Sequence, residues 1–288
     1  DDESGDSLAC ATEEAVYERL GMQWIPPELR EDRGELEAAR EGRLPDLIEL
    51  SDIRGDLHMH TTLSDGHASI EEMAETARGL GYDYVAITEH SASAGFGNDV
   101  QPDELRRQTE YIRGLELDGI AVLPGTEVNV LPDGTLDYAD DVLEQLDWVI
   151  ASLHTSFRLS EKEQTDRMLR AMEHPLVDAI GHPTGRLLER REAYALDIDR
   201  VIEKALETGT FLEINGNPDR RDLNDVYAKA AAEAGVMIVV DSDAHWPRTL
   251  PNMRFGVATA RRAWLTAAQV ANTRPWAELD KLRKRGRG

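Results

Sequence analysis

Asp56-Leu57-His58-Met59-His60 and Asp241-Ser242-Asp243-Ala244-His245 carry one pattern at two distant points of the chain: an apolar run that ends in two metal-type side chains spaced two apart. Further apolar runs end in the same manner, in Thr88-Glu89-His90, Gly125-Thr126-Glu127, Ser152-Leu153-His154, Gly181-His182-Pro183 and Glu213-Ile214-Asn215. The runs themselves, 53–58, 82–88, 120–127, 148–153, 177–180, 211–214 and 236–240, have the length and apolar content of buried strands. Helical patterns lie between most of them, over 70–80, 103–117, 161–172, 199–207 and 224–234. Such alternation predicts an α/β fold with parallel strands and right-handed crossovers, either a closed barrel or an open doubly wound sheet. No glycine-rich phosphate turn opens any of the helices, which disfavours the open sheet. A barrel gathers the C-terminal ends of its strands on one face, where barrel active sites lie. Seven separated stretches of sequence would then meet in one pocket.

Residues 1–50 read differently. An acidic tail, Asp1 to Asp6, precedes a short helix over 12–20 that Thr12 can cap. Trp24-Ile25-Pro26-Pro27 must be extended or turning. A charged helix is expected over 31–43, closed by Gly42 and Pro45. The expected organisation is therefore an N-terminal extension, 1–50, packed on a main domain, 51–288.

Composition narrows the chemistry. Of 288 residues, 41% are hydrophobic and 31% charged, as in a water-soluble globular protein. No apolar run reaches the roughly 18–20 residues of a membrane span, and the acidic start is unlike a secretory leader, so a cytoplasmic protein without membrane contact is expected. The only cysteine, Cys10, excludes an intrachain disulfide and leaves any metal site to histidines and carboxylates. A net charge of −24 opposes non-specific binding of DNA through the bulk surface. A nucleic-acid substrate would need a local attraction, which bound divalent ions supply.

Taken singly, the candidate residues have ordinary explanations. Asp65, before Gly66, suits a turn. Glu127 could sit at a strand's exposed rim, and His154 or His182 could be a hydrogen-bonded histidine at the edge of the core. Jointly the ordinary explanations fail, because six of the chain's eight histidines fall at predicted strand ends, His67 and His174 being the exceptions. Imidazole and carboxylate ligands suit zinc, manganese or iron. Nine ligands, namely His58, His60, Asp65, His90, Glu127, His154, His182, Asp243 and His245, exceed what one or two four-coordinate ions need and suit three.

Gly55-Asp56-Leu57-His58-Met59-His60-Thr61 with Ser64-Asp65-Gly66 resembles the opening motif of the PHP (polymerase and histidinol phosphatase) family, and the later strand ends match its remaining motifs in order. Within that family the chain is similar to the C-terminal PHP module of bacterial and archaeal family X DNA polymerases, through Ile25-Pro26-Pro27-Glu28-Leu29-Arg30, Gly181-His182-Pro183-Thr184-Gly185-Arg186, Pro218-Asp219-Arg220-Arg221-Asp222-Leu223 and Ala260-Arg261-Arg262-Ala263-Trp264. The resemblance implies a distorted (β/α)7 barrel and three divalent ions. His58, His60, Glu127 and Asp243 would hold the first; Glu127, His154 and His182 the second; Asp65, His90 and His245 the third. The family's usual Asp before the histidine is Glu89 here, and no polymerase catalytic domain precedes the module, as in a fragment or a stand-alone relative.

The expected activity is a metal-dependent phosphoesterase, a 3′–5′ exonuclease or phosphodiesterase acting on DNA ends, in which a hydroxide bridging two metals attacks phosphorus. Glu127, Asp243, His182 and Arg186 are the expected catalytic residues. Arg186, Arg220 and Arg221 are candidates to clamp phosphate, Asn215 to orient substrate or a ligand, and Trp246 to stack on a base. A phosphorylated small molecule is the alternative substrate. A non-catalytic, metal-stabilised module of a polymerase is the alternative of another class.

Overall fold

The computed structural model describes residues 9–95 and 98–287, so the acidic tail expected at Asp1 to Asp6 lies outside the described residues. Two compact units divide between Leu47 and Ile48. The first holds helix α1 (Glu13–Arg19), whose first turn is capped by the Thr12 hydroxyl accepting the Ala15 N–H, and helix α2 (Glu35–Arg40). The charged helix expected over 31–43 is shorter at both ends. Asp32 and Gly34 adopt positive φ, and the Glu35 carboxylate accepts the N–H groups of Asp32 and Arg33. That turn uses the backbone donors a longer helix would have needed, and the helix begins only after it.

The second unit is a seven-stranded parallel sheet in sequential order. In chain order it runs β1 (Gly55–Asp56), α3 (Ile70–Gly79), β2 (Tyr84–His90), α4 (Pro102–Arg113), β3 (Ala121–Asn129), α5 (Asp140–Leu143), β4 (Trp148–Ser152), α6 (Glu161–Glu173), β5 (Ala179–Ile180), α7 (Ile198–Thr208), β6 (Phe211–Asn215), α8 (Asp225–Glu233), β7 (Ile238–Asp241), α9 (Met253–Arg262) and α10 (Trp276–Leu279). Helices α5 and α9 were not legible in the sequence. The first is a single turn, and the second carries Gly256 at its centre, which lowers helix propensity. That glycine is needed for close approach: a Cβ there would press on the Val240 side chain at 2.6 Å.

Strands buried on both faces explain the continuous apolar runs. Tyr84, Ala86, Leu123, Trp148, Ile150, Ala179, Phe211 and Val239 form the barrel interior. Their sequence neighbours Val85, Ile87, Val149, Ile180, Leu212, Ile238 and Val240 pack outward in the larger core with the helices. The floor is covered by the C-terminal segment, with Leu279 buried against the interior cluster and Trp276 and Leu282 packed on it.

The barrel closes between β7 and β1 by side chains in place of a regular ladder. One parallel bridge, Met59 to Ala244, carries a backbone bond from the His60 N–H to the Ala244 carbonyl. Below it the Asp241 carboxylate accepts the Leu57 N–H at 2.8 Å, and the Asp56 carboxylate accepts the Ser242 N–H at 3.1 Å. Burial pushes Asp56 up to about 6, and burial together with the Asp56 charge pushes Asp241 well above the carboxylate range. Lower still, Asn272 lies between the two strands. It donates to the carbonyls of Gly55 and Val240 and accepts the Val240 N–H, at 2.8, 2.6 and 3.1 Å. Replacing it by leucine, Asn272→Leu, leaves those buried backbone groups unpaired at about 1–3 kcal/mol each. The expected loss is about 3 kcal/mol of unfolding free energy by urea titration, and a change below about 0.5 kcal/mol would mean the seam does not rely on this side chain.

Candidate metal centre

The alternation that fills the barrel interior, carried on to the C-terminal strand ends, places chemistry on the same side. On β2 the interior set Tyr84, Ala86 runs on to His90; on β3, Leu123 runs on to Glu127, which sits in register beside His90. On β4 the series reaches His154, on β6 Glu213 and Asn215, and on β7 Asp241 and Asp243. The other ligands depart from this parity. Regular pairing of β1 stops at Asp56, so His58 and His60 lie in the irregular run that follows, and His182 adopts a positive φ of 27°. Asp243 also has a positive φ, 52°. Non-glycine residues held in this region carry backbone strain and cluster at functional sites.

All nine candidate ligands come together. Glu127 is central: one carboxylate oxygen lies 3.0 and 2.8 Å from the Nε2 atoms of His154 and His182, the other 2.8 Å from His90 Nδ1 and 3.4 and 3.7 Å from His58 and His60. Asp243 lies 3.3 Å from His60 and 3.7 Å from both His58 and His245. Asp65 faces His90 at 3.4 Å and His245 at 3.3 Å. Its placement depends on Gly66, where a Cβ would overlap the His60 carbonyl. Three groups bring one ligand atom from each member within 4.8 Å of the others: His58, His60 and Asp243; His60, Asp65, His90 and His245; and His90, Glu127 and His154. This grouping shares His60 with the expected third set, and in the second it has His90 where the resemblance implied His182.

The donor chemistry fits bound cations. His58 Nε2, both ring nitrogens of His60, Asp65 Oδ1 and Glu127 Oε2 are buried without a hydrogen bond, a state that costs free energy unless an ion or water satisfies it. Without metal, protons stand in. Burial works against charge on His58, but Glu213, Glu127 and Asp243 outweigh it and hold its pKa well above the usual value. Burial is likewise outweighed at His90, which Glu127 and Asp65 lift to about 10. His245 is also raised, by Asp65 and Asp243 against burial. Burial, with the neighbouring charges of His90 and His245, drives His60 down to about 3, and burial takes His154 down to about 4. Burial opposes ionisation of Glu127 and Asp243 too, yet the surrounding imidazoles hold both well below the carboxylate range.

A supporting layer fixes the ligands. Glu213, wholly buried, accepts from His58 Nδ1 at 2.6 Å and from the His182 N–H. Asn215 donates to Glu213 at 3.2 Å and to Asp243 at 3.1 Å, so it orients a ligand. Glu89 accepts the hydroxyls of Thr61 and Ser64 and the Gln108 amide, tying down the turn that carries Asp65. Glu213 was read only as part of a strand end; its position two before Asn215 on the interior parity is the signal that marks it.

The candidate substrate residues divide. Arg220 reaches the cluster, with Nε 3.5 Å from Asp243. The Arg186 guanidinium is turned to the backbone carbonyls of Arg220 and Arg221 and braces their loop. Arg221 lies over the Phe255 ring. Both faces of the Trp246 indole are taken, one by the stacked His67 ring with centroids 4.0 Å apart, one by the Arg248 guanidinium at 4.2 Å. His174 accepts or donates at Asp140, 3.1 Å away, outside the cluster.

Residues 56–217 match the PHP domain model, and residues 1–31 match the DNA polymerase beta thumb model. The chain is 43% identical over 285 residues to the DNA polymerase/3′-5′ exonuclease PolX of Bacillus subtilis (strain 168), covering 98% of this chain and 50% of that protein. It thus spans about half the length of this relative. It is 33% identical over 238 residues to a "Probable phosphatase" of Thermoanaerobacter sp. (strain X514), covering 76% of this chain and 89% of that one. Among solved structures, histidinol phosphate phosphatase from Lactococcus lactis, complexed with zinc, L-histidinol and phosphate, superposes with a TM-score of 0.53 at 16% identity, covering 72% of this chain and 93% of that one. No helix among the described residues is long and apolar enough to cross a membrane.

Imidazole must be neutral to bind a metal. Because His58 is raised well above the usual value and His90 to about 10 in the metal-free protein, both are charged at neutral pH, and metal loading must expel their protons. Affinity should therefore rise with pH between about 6 and 8. Calorimetric titration of manganese in buffers of different ionisation enthalpy should show one or more protons released per protein. Zero release would mean these rings do not ligate.

Proposed function

We propose the function from one premise: the chain belongs to the PHP domain family, a family of metal-dependent phosphoesterases. On that premise the preferred reading is a 3′–5′ exonuclease or phosphodiesterase that acts on DNA ends. Two observations support it: the gathering of nine ligand side chains, five histidines of them around Glu127, and the 43% identity to PolX, which extends through residues outside the ligand motifs. Residues 1–50 are then an extension of the barrel, and their thumb-like part makes a family X polymerase domain the proposed partner.

Three divalent ions, of zinc, manganese or iron, would be held by His58, His60, Glu127 and Asp243, by Glu127, His154 and His182, and by Asp65, His90 and His245. When bound they supply Lewis acidity, activating water and withdrawing charge from the phosphoryl group. The chain's own residues do the rest. Glu127 divides its two oxygens between histidines on opposite sides and sets the spacing of the centre. Glu213 fixes the ring orientation of His58 and, through the backbone, the position of His182; such supporting partners raise ligand basicity. Arg220 is anchored at Asp243 while its Nη1 makes no hydrogen bond, which suits a donor to a non-bridging phosphate oxygen. Arg186 acts one step back, holding the loop that presents Arg220.

A phosphorylated small molecule is the second reading, favoured by the identity to a phosphatase that this chain matches over 89% of its length. A metal-loaded sample should release nucleotides from a 5′-labelled single-stranded oligonucleotide faster than phosphate from p-nitrophenyl phosphate. Turnover of the monoester with an intact oligonucleotide would replace the first reading by the second. Stabilisation by metal with neither reaction would leave a structural module. Glu127→Ala should lower activity at least about 100-fold and, by elemental analysis, remove two of the bound ions; unchanged stoichiometry would reject the bridging role.

A further inference from the structure

The mouth of the barrel is uneven in charge. The loops that follow β1, β2 and β3, residues 57–69, 91–101 and 130–139, contain four aspartates and no lysine or arginine. The loops that follow β4 to β7, residues 153–160, 181–197, 216–224 and 242–252, contain seven arginines against six acidic residues, and Arg254 stands just beyond the last, so this half is close to neutral where the other is acidic without a cation. Several guanidiniums on the outer helices and floor are tied to acids, as in Arg106–Asp141, Arg113–Asp147 and Arg285–Asp178, and at the mouth Arg190 pairs with Asp219 and Arg220 with Asp243. At the mouth, Arg191, Arg221, Arg248 and Arg254 form no ion pair with a carboxylate among the described residues. Each lies on an aromatic face instead: Arg191 over Phe157 at 4.2 Å, Arg248 over Trp246 at 4.2 Å, and Arg254 and Arg221 over Phe255 at 4.7 and 5.2 Å.

In a chain with 56 acidic side chains against 32 basic ones, a surface arginine readily finds a carboxylate. An aromatic face restrains a guanidinium without neutralising it, and leaves in-plane N–H groups available to a phosphate; on Arg191 these are the Nη groups, because its Nε donates to the Gly185 carbonyl at 2.8 Å. The unpaired cations come from the three loops after β5, β6 and β7 and from the start of α9. A single phosphate would need only Arg220. A row of further cations fits a ligand that repeats its negative charge.

We propose that the β5, β6 and β7 sector of the mouth is a docking track for the phosphodiester backbone of a single nucleic-acid strand. In this track Arg191, Arg248 and Arg254 hold phosphates other than the scissile one. The inference rests on the phosphoesterase reading and extends it from the reacting phosphate to the strand behind it. The half after β1 to β3, with acids and no cation, repels the strand, so the chain leaves the site over the side that carries the arginines. His67, exposed beside Trp246, offers a ring face for an accompanying base.

The test uses Arg248→Gln/Arg254→Gln, both exposed positions, against Arg106→Gln/Arg113→Gln, the same charge change on the outer helix α4. Binding of the manganese-loaded protein to a fluorescent phosphorothioate dT15 strand is followed by anisotropy over a range of salt. The mouth variant should bind about tenfold more weakly, with a log–log salt slope shallower by about 1.4, since each lost single-strand phosphate contact removes roughly 0.7. The ratio of oligonucleotide to p-nitrophenyl phosphate kcat/KM should fall about tenfold as well. Equal binding and slope in the two variants would overturn the track, as would failure of the unaltered protein to bind dT15. So would an equal weakening on a blunt duplex, the mark of an undirected cation patch. Inertness on both substrates would sink the phosphoesterase reading while the binding result still decided the track.

Discussion

The molecule is organised around a carboxylate that cannot be left alone. Glu127 is buried and lies within 3.7 Å of five histidines on four separate segments. Taking such an ion out of water costs several kcal/mol, and only nearby positive charge and hydrogen bonds offset this. In the metal-free chain protonated imidazoles provide it, which is why His58 and His90 are lifted while Glu127 is held down. Two of the neighbours, His60 and His154, are pushed the other way, chiefly by burial and further by the charged rings beside them. The cluster is therefore short of compact positive charge. Divalent ions supply that charge at donor atoms already aimed inward, and the same shortage links metal affinity to pH.

Such a cluster demands a scaffold that brings distant residues together without flexible loops. Parallel strands in sequential order do this, because all their C-terminal ends share one face. Closure is the weak point: β1 and β5 are two residues long, and the β7–β1 seam lacks a regular ladder. Side chains take over the backbone's role. Asp178 accepts the Val149 N–H below β5, and Asp56, Asp241 and Asn272 span the seam. The seam lies directly beneath His58, His60 and Asp243, so the irregularity that shortens β1 is also what frees its histidines from strand parity.

That coupling explains what could be read from sequence. Interior alternation along β2, β3, β4 and β7 leads without interruption from apolar residues to His90, Glu127, His154 and Asp243, and periodicity suffices to find them. His58, His60 and His182 break that alternation, and residue type in a recurrent motif was the signal that found them. Strand existence was legible because burial on both faces leaves unbroken apolar runs. Strand ends were not: Asp178 spends its carboxylate on the Val149 N–H beside β5, and Asn272 reaches the start of β1 from far along the chain. Helix α9 was hidden by the glycine that close packing on Val240 requires. Contacts such as Glu213 to His58 and the sandwich around Trp246 join residues 155 and 179 positions apart, and no local pattern encodes them.

The charge distribution resolves an apparent conflict between a net charge of −24 and a phosphate-bearing substrate. At physiological salt the field of an exposed charge decays over roughly 8 Å, so a ligand at the barrel mouth responds to the side chains of the mouth and little to the acidic helices outside. There the balance is local: carboxylates directed to the ligand cluster, a side with acids and no cation, and a side where arginines on aromatic rings offset the acids among them. Acidity elsewhere then serves selectivity. On the proposed docking of a single strand, it repels a long polyanion from surfaces outside the arginine-bearing sector and favours contact through an end over adsorption along a duplex.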